Sequence, residues 1–573
     1  MRRISISLPL LVLFLLACRA LAPTGSSSLP AETFVHASPS PSAAPTSIST
    51  VTPSPTLLAT PAPPVAHLTP QPSPAPTHTL VSEQFTVRTH PDGQLYAGDL
   101  VSLEVIAPPT ARLEERQVAV QIDTPEGVKL GPVDFGRHGI AGRAQATLLW
   151  AWDTSGLEPG EYSLNFSVLP DELIWTETVA LLPQEAVPLP EPEARWATAE
   201  SDCCIVYYIT GTEAERDLPA LLELADAQAN KAIQRLGSDF EEPIPIVLLP
   251  RVLGHGGFAS DEISISYLNR NYAGSSPEMV LHHEMVHILD SRLGGEFRPT
   301  MFVEGLAVYL TGGHFKPEPL MPRAAALLSP QAGCLEAQRL HDPGDSSQVA
   351  SICGLDFYIS LPVLADDFYL SQHEIGYLQA GALTEFIVET WGWDAFSAFY
   401  RDMRPPSNGS QAAVIDDALQ EHFGLTLTEM DDRFRTALRE EELTVDLVDD
   451  VYVTVSFYDT VRRYQQILDP SAYFLTAWLL DAREMRERAI VADYLRRPTS
   501  VENDALEKLL VAADQALRSG DYGRARELVG AVNAALDIFS QPNEGSSGSW
   551  PAEEVRVARV QFAHVWLAGR APT

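Results

Sequence analysis

His283-Glu284-Met285-Val286-His287 sets two imidazoles four residues apart, with a carboxylate directly after the first. On an α-helix, positions i and i+4 project from one face, so both rings can reach a single metal ion while Glu284 stands beside its open coordination position. Helical signals surround the pentapeptide. Ser275 and Glu278 have capping-box spacing, Pro277 falls in the first turn, and Gly294-Gly295 supplies a stop after the apolar run.

A metal held this way needs a third protein donor. Arg298-Pro299-Thr300 marks a helix start, and the following Met301 to Tyr309 is apolar apart from Glu304. A buried carboxylate there is costly unless neutralised, either by a divalent cation or by a salt bridge to Arg292 or Arg298. His283, His287 and Glu304 are therefore the candidate metal ligands, and Glu284 is the candidate general base. His282 points about 100° away from His283 and is expected to pack or to support from behind. Asp290, three residues after His287, is expected either to accept a hydrogen bond from a ligand imidazole or to be solvated. His255, in Gly254-His255-Gly256-Gly257, is assigned no role.

These residues require a scaffold of mixed elements. Cys204 to Thr210 and Ile244 to Leu249 are strand candidates, Glu213 to Leu236 has helical periodicity, and Asp261 to Ser266 alternates as a half-exposed strand does. That last strand is the expected edge of a cleft, where a peptide could add as a further strand. Upstream, residues 83–185 alternate in a two-residue period, as in Val118 to Ile122 and Tyr162 to Val168, with turns at Pro91-Asp92-Gly93 and Glu158-Pro159-Gly160. This pattern predicts an immunoglobulin-like or fibronectin-like β-sandwich, a spacer or recognition module without catalytic motifs. A proline-rich joint, Pro183 to Pro192, follows it. Residues 445–573 are helical in pattern, with Leu509 to Ala513, Ser519 to Tyr522 and Ala525 to Ala534 forming one helix, turn and helix like a tetratricopeptide-type hairpin. The expected fold is thus multidomain: a sandwich, an α+β region over 200–440, and a helical C-terminal region.

The order of strand, alternating strand, HExxH helix and Glu304-Gly305-Leu306-Ala307 helix resembles the gluzincin metallopeptidases, particularly peptidase MA-like domains related to the thermolysin and M1 aminopeptidase groups. The resemblance continues through Tyr377-Leu378-Gln379-Ala380-Gly381-Ala382-Leu383, Phe386-Ile387 and Trp391-Gly392, and ends near Asp416 to Leu438. It implies a zincin-like fold, zinc held by His283, His287 and Glu304, and Glu284 as the base that activates water. It also implies a transition-state tyrosine, which carries over to Tyr377 with Tyr358 as a rival, although Tyr377 stands in Tyr-x-x-x-Gly and the aminopeptidases have Tyr-x-x-Gly. The connection from His287 to Glu304 is slightly shorter than in the best-known members. The Gly-x-Met-Glu-Asn motif by which M1 aminopeptidases hold a free N-terminus is absent, so the expected activity is endopeptidase cleavage of a peptide or protein. A reading from another class is a surface binding or adhesion lipoprotein with a vestigial zincin fold; retention of His283, Glu284, His287 and Glu304 argues against it.

Composition places this chemistry. Arg2 and Arg3 precede an apolar run from Leu8 to Ala17, too short to span a bilayer, and Leu15-Leu16-Ala17-Cys18 resembles a bacterial lipobox. Residues 1–18 are expected to be a lipoprotein signal, with Cys18 lipidated. Residues 19–82 hold Glu32 as the single charge between Ala20 and Leu80 and are rich in Pro, Ser, Thr and Ala, so they form a tether. The expected location is extracytoplasmic, anchored to the cell membrane by that lipid. The net charge of −37 in 573 residues opposes nucleic-acid binding. Of the five cysteines, Cys334 and Cys353 favour a disulfide in an exported chain, with Cys203 and Cys204 as alternative partners.

Overall fold

The computed structural model describes residues 85–540 except 110, 112, 114, 172, 255, 275, 294, 315, 330–353, 370–372 and 407–408. Cys18, the signal and tether, His255, Ser275, Gly294, the Cys334–Cys353 pair and the last 33 residues lie outside the described residues. Among the described residues, no helix is long and apolar enough to cross a membrane.

The chain first makes β1 (Thr86–His90), β2 (Leu95–Tyr96), β3 (Leu100–Ile106), β4 (Gln117–Ile122), β5 (Lys129–Asp134), β6 (Gly136–His138), β7 (Arg143–Asp153), β8 (Gly160–Leu169) and β9 (Leu173–Leu182). They form two sheets, ordered β1-β3-β7-β6 and β2-β9-β8-β4-β5. The two-residue period buries Val118, Val120 and Ile122 on β4 and Leu164, Phe166 and Val168 on β8. These side chains share one core with Val101, Leu103 and Val105 of the other sheet.

A third, mixed sheet is ordered β10-β11-β12-β14-β13. It comprises β10 (Trp196–Glu200), β11 (Cys204–Ile209), β12 (Ile244–Leu249), β13 (Gly257–Ala259) and β14 (Ile263–Ser266), with α1 (Glu213–Arg216) and α2 (Leu218–Leu236) between β11 and β12. Strands β11, β12 and β14 run parallel, whereas β10 and β13 are antiparallel edges. Two expectations are corrected here. The strand ending at Ser266 is internal and fully buried, not a half-exposed edge. Its serines are tolerated because they are small, and Ser266 Oγ accepts from the Leu253 N–H at 3.2 Å. The true edge is β13, formed where Gly256, at φ +117°, returns the glycine-rich loop antiparallel to β14. Cys203 and Cys204 are bonded to each other rather than to a distant cysteine. Asp226 pins their turn, accepting from Ser201 Oγ at 2.7 Å and the Cys203 N–H at 2.9 Å.

Helices then cover the sheet: α3 (Pro277–Leu293), α4 (Thr300–Thr311), α5 (Leu320–Ala325), α6 (Leu361–Asp366), α7 (His373–Trp391), α8 (Trp393–Arg401), α9 (Gln411–Phe423) and α10 (Leu427–Leu438). The C-terminal region holds α11 (Val445–Leu468), α12 (Ala482–Glu487), α13 (Ala492–Leu495), α14 (Val501–Arg518) and α15 (Tyr522–Phe539). Helices α14 and α15 form the hairpin legible in the sequence, longer at both ends than its motif, and share a core with α11.

The described residues form one compact unit. The two-sheet region is therefore no detached spacer. Arg251, 2% exposed after β12, reaches Asp92 of the two-sheet region at 2.5 Å and Asp469 beyond α11 at 3.0 Å. Arg496 pairs with Asp99 and Glu191, both at 2.5 Å, and His90 stacks on Trp478 at 3.8 Å. Removing one partner from such buried pairs leaves a charge without compensation, at a cost of about 3–5 kcal/mol.

Asp493 on α13 lies in this junction, 2% exposed. Burial pushes its carboxyl up to about 6, with His90 opposing, and the indole N–H groups of Trp150 and Trp478 face it without reaching hydrogen-bond geometry. Because the folded state holds this proton more tightly than the unfolded chain, stability falls as pH rises from about 4 to about 6 and stays lost above. Asp493→Asn is expected to stabilise the protein by up to about 3 kcal/mol at pH 8 and by almost nothing at pH 4. Thermal unfolding at both pH values checks this; equal effects at the two would contradict it.

Candidate metal centre and cleft

Helices α3 and α4 bring the three candidate ligands together. Glu304 Oε2 lies 3.3 Å from His283 Nε2 and 3.3 Å from His287 Nε2, and all three donor atoms fall within 4.8 Å of one another. The two imidazoles meet edge to face, with ring centroids 4.6 Å apart. Neither arginine named as a partner reaches Glu304: Arg298 pairs with Asp290 at 3.1 Å, and Arg292 donates to the Asp239 carbonyl at 2.8 Å. The charged groups that Glu304 does meet are the two histidines.

Glycines explain why these helices can approach. A Cβ on Gly305 would stand 2.5 Å from the Ala380 carbonyl oxygen, and one on Gly381 would stand 2.5 Å from Val308 Cγ1. Close packing of α4 on α7 thus requires the glycine in each motif. The contact fixes Glu304, one residue before Gly305, and Tyr377, one turn before Gly381. Tyr377 is 3% exposed, lines the same pocket, and has its ring 6.1 Å from His283. Its rival Tyr358 instead donates to Asp431 at 2.7 Å and is no part of the described pocket lining.

The electrostatics follow from burial and from one carboxylate. Burial pushes His283 down to about 4 against the pull of Glu304. Burial acts likewise on His287, but Glu304 outweighs it and raises that imidazole to about 9. Glu304 is correspondingly held well below its ordinary range by His287 and His283, despite its own burial. A proton on His287 therefore balances Glu304 when no cation is bound. Two imidazole nitrogens and one carboxylate oxygen, converging in a buried pocket, are the donor set of a zinc site with an open position. The residues present fit zinc.

Glu284 lines the pocket from α3, 6% exposed, and burial pushes its carboxyl up to about 7. Gly257 of β13 makes room for it: a Cβ there would meet Val280 Cγ1 at 2.3 Å and Glu284 Oε1 at 3.4 Å. His282 is fully buried on the opposite side, facing the Gln228 and Leu310 backbones, and contributes nothing to the ligand set. Asp290 fits neither expectation. It is 1% exposed and accepts from the Tyr400 hydroxyl at 2.7 Å as well as from Arg298, so it ties α3 to α8.

Four further pocket groups are not among the sequence candidates. Tyr369 donates its hydroxyl to Glu304 Oε1 at 2.5 Å. His314 follows the Gly312-Gly313 stop of α4, stacks on Tyr377 at 4.0 Å, and holds Glu374 at 3.1 Å through Nδ1. Tyr458 and Phe474 enter from the C-terminal region. The Gly-Gly-His sequence was the one visible hint, since αL glycines after a helix aim the next side chain back across it. Tyr369→Phe is expected to weaken zinc binding about 10–100-fold, as loss of a group that orients a ligand does. Competition against a chelator of known affinity measures this; unchanged zinc affinity would contradict the role.

No family model matches the chain, and no curated protein matches it. Among solved structures, the chain is similar to the crystal structure of an aminopeptidase N family protein from Idiomarina loihiensis, at 10% sequence identity and a TM-score of 0.26, covering 64% of this chain and 78% of that one.

Proposed function

We propose that this chain is a zinc-dependent endopeptidase of gluzincin type, carried by a lipoprotein anchored outside the cell membrane through Cys18. One observation carries the reading: three zinc-type donors converge within 4.8 Å, and Glu284, a buried carboxyl outside that donor set, lines the same pocket. Bound to His283, His287 and Glu304, zinc would supply Lewis-acid polarisation of a carbonyl and of water.

The chain's own residues would do the rest. Glu284 takes a proton from the attacking water and returns it to the leaving amine nitrogen. Tyr377, on the α7 side of the pocket, would donate to the oxygen that gains charge. An extended peptide would pair with the exposed edge of β13, so that main-chain hydrogen bonds hold it across the cleft. The described lining has no Lys, Arg or Asp with which to grip a chain terminus, which favours internal cleavage. An immunoglobulin-like fold for the two-sheet region and a Pro-rich tether before it complete the proposed arrangement, with a peptide or protein as the partner.

The reading is tested by incubating the zinc-loaded protein with a mixed peptide library and sequencing the products by mass spectrometry. Internal cleavages that a zinc chelator stops are expected. No cleavage by protein with stoichiometric zinc would favour the binding-lipoprotein alternative.

A further inference from the structure

Three regions of the chain wall the pocket beside the candidate ligands. Ile140 comes from the β6–β7 hairpin, Tyr458 from α11 and Phe474 from the segment after it, while the remainder comes from β13, α3, α4, α7 and their connections. Ile140 is 51% exposed. A large aliphatic side chain at a hairpin tip gains nothing from water, and its place in the pocket lining gives it something to cover it.

The tip is held in place. Gly139 has a φ of +69°, and a Cβ there would stand 2.5 Å from the Leu475 carbonyl oxygen, so only glycine permits the approach. The Ala141 N–H donates to that same oxygen at 3.2 Å, and the Gly142 N–H closes the turn on the Gly139 carbonyl at 3.0 Å. Leu475 adjoins Phe474, whose ring lies 6.2 Å from that of Tyr369, and Tyr369 donates to Glu304. A continuous line of contacts joins the two-sheet region to a candidate ligand.

The geometry points to a specificity pocket in which Ile140, Phe258 and Phe474 receive one bulky apolar side chain of a peptide lying along β13. This deepens the peptidase reading and rests on it. Residues 257–259 of β13 line the same pocket, so a strand paired with that edge turns alternate side chains toward it. Apart from His283, Glu284, His287 and Glu304 of the metal centre, and His314, which holds Glu374, the described lining carries no His, Lys, Arg or carboxylate. A charged side chain seated beside Ile140, Phe258 and Phe474 would lose water to apolar neighbours, whereas an apolar one covers Ile140. Selectivity is thus set partly by a region outside the one that carries the ligands.

The test uses the full chain with Glu284→Gln, which separates binding from hydrolysis, and fluorescent hexapeptides carrying Phe, Ala or Asp at each position in turn. Anisotropy should show one position at which Phe binds at least about tenfold more tightly than Ala or Asp. Adding Ile140→Asp, at an exposed site, should reduce that preference about tenfold with zinc content and thermal midpoint unchanged; adding Phe474→Ala should reduce it likewise with zinc content unchanged and a lowered midpoint, since that ring is buried. Wild-type kcat/KM should follow the same order. A Phe preference that survives both substitutions, or no preference at any position, overturns the pocket even if cleavage occurs. An Ile140-dependent preference without hydrolysis by the Glu284-bearing chain upholds the pocket and overturns the peptidase reading.

Discussion

Glu284→Gln is expected to lower turnover by about 10²–10⁴-fold while leaving zinc binding unchanged. The substitution keeps shape and volume at a position 6% exposed, so neither packing nor the approach of β13 at Gly257 is disturbed. It removes the one thing the mechanism asks of this side chain, a carboxylate that accepts a proton from water and releases it to nitrogen. The amide cannot cycle in this way. Since Glu284 is no member of the ligand cluster, metal content is the control that separates a lost base from a lost site. Turnover within a few-fold of wild type would exclude Glu284 as the base. Loss of zinc alongside activity would instead make it a ligand.

Glu304→Ala is the second large effect. It deletes one of three donors and the anion that raises His287 to about 9, so the imidazole pair remains without its balancing charge. Zinc affinity should fall by more than the 10–100-fold typical of losing a supporting group. The thermal consequence is specific. Zinc binds the folded chain and stabilises it in proportion to the logarithm of its excess over Kd, so added zinc should raise the wild-type midpoint and leave the variant's unchanged. Without zinc the variant should itself be less stable than the wild type near neutrality, because the buried Glu304–His287 pair that holds Glu304 well below its ordinary range is lost. A zinc-dependent midpoint that survives in Glu304→Ala would remove this residue from the ligand set.

Much of this site could be read from the chain because helix geometry is local. His283 and His287 share a face whatever surrounds them, and Glu304 stands out as the lone acid in an apolar helix. What could not be read depends on where distant segments cross. Tyr369 and Phe474 sit in sequences without periodic or motif signals, and only the packing of α7 and of the segment after α11 brings them to the pocket. Ile140 belongs to no motif, and only the approach of Gly139 to Leu475 carries it to the cleft. The edge strand was misplaced for a related reason. Alternating serines suggest exposure, but Ser266 makes a buried hydrogen bond, and the glycine-rich stretch before it became the edge. The internal pairing of Cys203 with Cys204 was missed because adjacent cysteines were weighed only against distant partners.

Were their disulfide reduced, Cys203 and Cys204 would form with Asp226 the other group of metal-type donors among the described residues, so the identity of the atoms around zinc is the decisive quantity. Zinc K-edge X-ray absorption on the purified full chain reads them directly. The account predicts about one zinc per chain, with two imidazoles and oxygen donors at about 2.0–2.2 Å and no sulfur. Sulfur scattering at about 2.3 Å, or a chain that takes up no stoichiometric zinc, would contradict it.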